Sequence, residues 1–426
     1  MKIACRIRMM KALLITVLFS LLSLPGISQA LNFQALLDSG KAEFKRQLAE
    51  QTSNYTKAFG LFTEAVKRQP DNAEARYFLG YTIDRLNASD GSMMHLSKKQ
   101  LTLKASEQFE RVNALQRTYQ GEMLLLDPYS KLSSIWGSLA AAYLTQNNPD
   151  SAKWAFAEGK KRGGFIEPIL EYNRQLLNSC EKNAILVTAG DNITIPAWYL
   201  QTIEKFRTDI TIVDAGLINA GWYPKYLKNS LHLKMQLSDT EIDTIEYRPW
   251  TPKAISIKNP DDSTQVFNWT LKPTYFDQYI LKGDRILLDI IQQNLYNRTF
   301  YFSGGPDSTY NLFLTDYLID DGIVSKLILH KNDKTTPTTI LSKNLYSYNI
   351  DKLDGQEIVK SKDAILALNG FRWTFYGNSY FLYSKGQKAE AKKLLEVMEL
   401  KFSTRKLPYY TPELQKGVEE LKLLIQ

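Results

Sequence analysis

Cysteine and histidine are scarce in this chain of 426 residues, with two of the first and three of the second. Cys5 falls in the opening segment and Cys180 stands alone after it, so neither a disulfide framework nor a cysteine-held metal is on offer. His95, His232 and His330 are far apart, and none has a carboxylate or second histidine at ligand spacing, which excludes a histidine-built zinc site. No G-x-S-x-G elbow and no Walker-type phosphate loop occurs. No catalytic residue, metal or cofactor is assigned on this basis. After residue 24 no apolar run approaches the roughly 20 residues that carry a helix across a bilayer. Excess charge is also small. The formal +8 includes Lys2, Arg6, Arg8 and Lys11, and no basic run is interleaved with aromatics, so nucleic acid is excluded as a partner.

What is present begins with a leader. Those four cations precede an apolar run over residues 12–24 that Pro25 and Gly26 break, and Ser28-Gln29-Ala30 offers small residues where a signal peptidase reads. The expectation is cleavage before Leu31 and a soluble mature chain without a membrane span, in the periplasm or at the periplasmic face of an outer membrane. Cys180 is then a lone thiol, expected to be buried.

Helical repeats follow. Ala58, Phe62, Ala65 and Pro70, then Ala73, Tyr77, Leu79 and Gly80, fit the roughly 34-residue tetratricopeptide template. A second copy runs through Trp136, Leu139, Ala140 and Tyr143, then Ala152, Phe156 and Gly159, with Asp150 or Ser151 as the N-cap between. Ala105, Phe109 and Val112 keep second-helix spacing but are displaced by a polar stretch, residues 87–99, which reads as an inserted loop. A weaker copy with Trp373, Gly377 and Tyr380, then Ala391, Leu395 and Met398, precedes an amphipathic capping helix over 413–426.

Between these helical parts the period changes. Residues 184–188 and 210–214 are short apolar runs joined by a helix over about 195–206, a parallel β-α-β unit. Proline-punctuated short strands between 231 and 271 predict an antiparallel insertion. Asp284 should cap a helix through Leu295, residues 299–302 form another strand, and a further helix and a strand near 324–329 complete the module. The fold class is therefore α+β: tetratricopeptide-like repeats flank an α/β module with a mostly parallel sheet and an antiparallel insertion. The divisions are 1–30 leader, 31–178 helical, 179–345 α/β and 346–426 helical.

Ligands bind at the carboxyl ends of parallel strands. Three such ends carry small or acidic residues, which makes Asp191, Asn192 and Thr194, then Asp214, then Ser303 and Gly304 the candidate ligand-binding residues. Trp198 and Trp222 follow strand ends and could stack on a sugar or flank a peptide, whereas Tyr199 reads as core. The competing interpretation is that Asp191, Asn192 and Thr194 merely cap the next helix. Residues 303–308, S-G-G-P-D-S, match the phosphate loop of ATP pyrophosphatases. That loop follows the first strand of its domain and needs cytoplasmic ATP, and neither condition fits here.

Residues 184–201, A-I-L-V-T-A-G-D-N-I-T-I-P-A-W-Y-L-Q, resemble the I-L-F-T-N-G-D-N-D-T-F-P-L-W-Y-L-Q signature of a family of large Gram-negative membrane proteins. The similarity extends through 207–213, 217–223, 284–291 and 297–302. The resemblance implies kinship with the extracytoplasmic half of proteins linked to protein O-mannosyl transfer, whose multi-spanning transferase half has no counterpart here. Ile193 stands where that signature has its second aspartate. The expectation is a non-catalytic envelope scaffold that holds a protein partner on its helical repeats and a peptide or glycan at the strand ends. The alternative is an envelope enzyme acting on glycans in the same cleft.

Overall fold

A computed structural model describes residues 32–52, 54–304, 310–332 and 343–426. The expected leader and residues 305–308 of the S-G-G-P-D-S stretch lie outside the described residues. No helix among the described residues is long and apolar enough to cross a membrane.

The described residues open with seven α-helices: α1 (Phe33–Ala49), α2 (Thr56–Arg68), α3 (Ala73–Ala88), α4 (Lys99–Leu115), α5 (Pro128–Thr145), α6 (Pro149–Lys161) and α7 (Glu167–Asn178). They pack chiefly as neighbours in sequence, α1 on α2, α3 on α4 and α5 on α6. The cause is a small-against-large pattern at each contact. A Cβ on Gly80 of α3 would stand 2.8 Å from the Phe109 ring of α4, and one on Gly159 of α6 would stand 2.6 Å from Trp136 of α5. Such seats accept a ring only where the partner has no side chain. The N-cap of α6 is Asn148, whose side chain accepts from the Ser151 amide, rather than Asp150 or Ser151. The inserted stretch between α3 and α4 forms two short 3₁₀ turns, Ser89–Gly91 and Met94–Leu96, and Met94 is buried.

Strand β1 (Ile185–Thr188) leads into α8 (Asp191–Ile203) and then β2 (Thr211–Asp214). Helix α8 starts four residues before the expected position and continues through Pro196. Proline cannot donate to the carbonyl four residues back. That carbonyl, on Asn192, instead accepts from Asn173 Nδ2 of α7 at 2.9 Å, so a side chain from a neighbouring helix fills the gap. After β2 come α9 (Trp222–Asn229), α10 (Asp239–Thr244), β3 (Arg248–Pro249), β4 (Lys253–Lys258), β5 (Val266–Leu271) and β6 (Tyr279–Ile280). The pairs β4–β5 and β3–β6 are antiparallel, as the insertion requires. Helix α11 (Lys282–Asn294) begins without a side-chain cap; Asp284 lies inside its first turn and accepts from the Thr274 hydroxyl instead.

The central sheet has the order β2-β1-β7-β9-β8, with β7 (Phe300–Phe302), β8 (Leu318–Asp320) and β9 (Ser325–Leu327). Pairings β1–β2 and β1–β7 are parallel, while β9 runs against both β7 and β8. The expected last helix-then-strand is therefore a hairpin, with only the 3₁₀ turn Thr315–Tyr317 ahead of it among the described residues. The chain closes with α12 (Lys343–Ser347), α13 (Gly355–Val359), α14 (Lys362–Ser384), α15 (Lys388–Lys401) and α16 (Pro412–Ile425). Leu414, Val418, Leu421 and Ile425 cover the apolar face of the α14–α15 pair.

Strand alternation divides the interior in two. Leu186, Ile212 and Tyr301 lie side by side and join a core that runs from Leu36 of α1 to Ile425 of α16. Their neighbours Val187, Val213 and Phe302 face the other way, into a second core with Ile286 and Ile290 of α11 and Trp269 of β5. Helix α8 carries the first contact, because it packs on α5, α6 and α7, while α14 packs on α7. Cys180 is buried, and burial raises the pKa of its thiol.

Candidate functional site

The strand ends are held open by specific bonds. Gly190, at φ 90°, is the N-cap of α8, and no side chain caps that helix. A side-chain-bearing residue is strained at this φ, so glycine makes the turn from β1 into α8. Asp191 is the first helical residue, and its Oδ2 accepts from Ser134 Oγ of α5 at 2.6 Å. The capping interpretation of Asp191, Asn192 and Thr194 therefore fails for all three. Thr194 is used inward: its hydroxyl meets Thr188 Oγ1 at 2.7 Å and donates to Asp214 Oδ2.

Asp214 ends β2 and is 5% exposed. Its Oδ1 accepts the amides of Gly216 at 2.9 Å and Leu217 at 2.8 Å, while Oδ2 takes Thr194. Burial raises its pKa; these bonds oppose the rise, and the charge of Asp191 adds to it. One oxygen ties the loop after β2 and the other ties α8, so Asp214 holds the strand end, the loop and the helix together.

Asp191 and Asp214 open on one cleft of about 510 Å³, which lies between the carboxyl ends of β1 and β2 and helices α3 and α5. Its far wall comes from residues outside the candidates read from the strand ends. Lys131 of α5 pairs with Asp84 of α3 at 2.6 Å, each side chain 8% exposed, and the Lys131 ammonium lies 4.6 Å from the Tyr81 ring centre. Arg85 and Ser138 also line it. A lysine inside an apolar helix was the available clue, since a buried lysine needs a partner.

The inserted stretch closes one side. Gly91, Ser92 and Met94 line the cleft, and a Cβ on Gly91 would come within 2.9 Å of the Leu217 side chain. The His95 ring stacks on Trp222 with centres 5.6 Å apart and planes 25° from parallel. Burial, and secondarily Lys225, lowers the His95 pKa. Trp198 and Trp222 line a separate cavity of about 340 Å³ between α6, α8 and α9, away from Asp191. Tyr199 is core, stacked on Phe165. Ser303 and Gly304 line a third groove against α14. The structure thus brings Asp191 and Asp214 together, places Asn192 and Thr194 behind them, and separates the tryptophans and the β7 end.

The middle of the chain is similar to known proteins. Residues 170–258 and 251–345 match the family model described as TMEM260-associated domain 2. This span begins in α7, contains the whole central sheet and reaches into α12. The chain is also similar to the protein O-mannosyl-transferase tmem260 of Dictyostelium discoideum, 22% identical over 178 residues, which is 42% of this chain and 17% of that protein. The chain thus matches less than a fifth of that relative's length. Asp191 and Asp214 lie inside the matched span, whereas Asp84, Lys131 and Ser134 lie outside it. The cleft has one wall of each origin.

Proposed function

We propose that this chain is an envelope binding protein that holds a glycan, or a peptide bearing one, in the cleft at the ends of β1 and β2. Its tetratricopeptide-like helices grip a protein partner. The observation that carries the reading is the occupation of Asp214. Three donors hold the Asp214 carboxylate to α8 and to the loop after β2, which gives it a structural part, and Asp191, steadied by Ser134, is the cleft carboxylate we assign to the ligand. Ion-paired Lys131 and Asp84, the Ser134 hydroxyl and the Tyr81 ring suit a neutral, hydroxyl-rich ligand. The similarity to an O-mannosyl-transferase-associated domain supports a mannosylated serine or threonine peptide as the first ligand to try.

The test is calorimetric titration of the full chain with a mannosylated peptide and its unmodified counterpart, repeated on Asp191→Asn. Binding of the mannosylated form, weakened by about 1.5–3 kcal/mol in the variant through loss of a charged contact, is the expected result. Equal affinity for both peptides, or an unaffected variant, would sink the reading. Release of free mannose from the peptide would replace it with the enzymatic alternative.

A further inference from the structure

The small β3–β6 pair carries two features that are costly on a free surface. One is aromatic exposure: Tyr247 is 63%, Tyr275 43% and Phe276 74% exposed. Tyr275 bridges to Tyr279, whose ring lies 5.7 Å from that of Tyr247, so these rings share one tip. Phe276 and Asp277 have φ of 47° and 54°, a left-handed region that bulky side chains avoid. The turn accepts this strain while holding a phenyl ring in water.

The other feature is a cluster of cations. Arg248 lies 5.1 Å and Lys253 4.4 Å from the centre of the same Trp250 ring. Burial, and then the charge of Arg248, lowers the pKa of Arg285, so the two charges are near enough to repel. Nearby Lys225 and Lys228 are paired with Asp243 and Asp239. Arg285 instead donates to the Glu246 backbone carbonyl at 3.0 Å. The exposed acids at this tip are Glu246 and Asp277, so the cations are only partly offset.

We propose that this tip docks on an anionic lipid bilayer, with Tyr247, Tyr275 and Phe276 entering the interfacial layer and Arg248, Lys253 and Arg285 meeting headgroup phosphates. Free phosphate would satisfy the cations and leave the rings in water. A lipid surface satisfies both, since aromatic rings and basic residues are the side chains that settle at a membrane interface.

The experiment is co-sedimentation of the full chain with phosphatidylcholine vesicles, alone or with about one-third phosphatidylglycerol, with and without inorganic phosphate as competitor. Binding to the anionic vesicles is expected, weakened about fivefold in each of Arg248→Gln and Arg285→Gln. A comparable loss is expected in Phe276→Ser, with little competition by phosphate. Melting curves matched to the parent show that the variants fold, and Phe276→Gly, which suits the left-handed φ, serves where the serine variant does not. Absence of binding, equal binding to neutral vesicles, full displacement by phosphate, or binding that survives all three substitutions would overturn the proposal.

Discussion

At the scale of single residues, the cleft separates groups that hold the fold from groups left for a ligand. Asp214 belongs to the first class. Asp214→Ala removes the acceptor of two amides and the Thr194 hydroxyl. Thermal melting should show a loss of roughly 1–3 kcal/mol, because the buried donors have no substitute. Lys131→Met alone leaves Asp84 buried and unpaired, and should destabilise by about 3–5 kcal/mol, while the double variant with Asp84→Leu should recover much of it. If single and double variants melt alike, the pair is not coupled. Asp191 and Asp214 were legible in the sequence because each ends a short apolar run, which marks a strand end. What each carboxylate does was not legible, since the roles depend on Ser134 and Thr194, which approach from other elements. Lys131 and Asp84 were missed for the same reason: their partnership exists only after α3 and α5 pack.

At the scale of elements, two helices meet head to head. Asp127, the N-cap of α5, accepts from the Asp363 amide at 3.1 Å, and Asp363, in the first turn of α14, accepts from the Asp127 amide at 2.8 Å. Each helix start thus helps to satisfy the other's free amides. Burial, and then the charge of Asp127, pushes the Asp363 carboxyl up to about 6. The folded pKa lies above the ordinary value of about 3.9. The folded state therefore holds this proton more tightly, and the contribution is fully present below about pH 4 and lost as pH rises through about 6. Asp363→Asn should remove that dependence, so that its melting temperature gains on the parent between pH 4.5 and pH 7; parallel curves would exclude Asp363 as the source. Helix α8 gives a second case. Asn173→Ala leaves the Asn192 carbonyl that Pro196 cannot serve without its donor, and a loss of about 1–3 kcal/mol in chemical denaturation is expected. Apolar spacing located most helices, yet placed the start of α8 too late, because a proline in sequence does not show that a neighbour stands ready to replace its hydrogen bond.

At the scale of the whole molecule, the sheet cannot be separated from the helices without exposing Leu186, Ile212 and Tyr301. Calorimetry of the full chain should give one transition, and the isolated segment 179–345 should aggregate or lack cooperative melting; a well-folded fragment would contradict the shared core. Changes of period in the sequence marked three segments, but nothing in a period reports that two of them press on the same face of the third. The reach of the 89–96 stretch across to Leu217 and Trp222 carries a further consequence. The floor of the cleft lies in the span that matches a known family, and the roof is supplied by an insertion between helices outside it. A lineage could therefore exchange or lengthen that short loop and alter which ligand fits, while the sheet beneath stays under its own folding constraints. Selectivity in such chains would drift with the roof, and strand-end signatures alone would group proteins that bind different things.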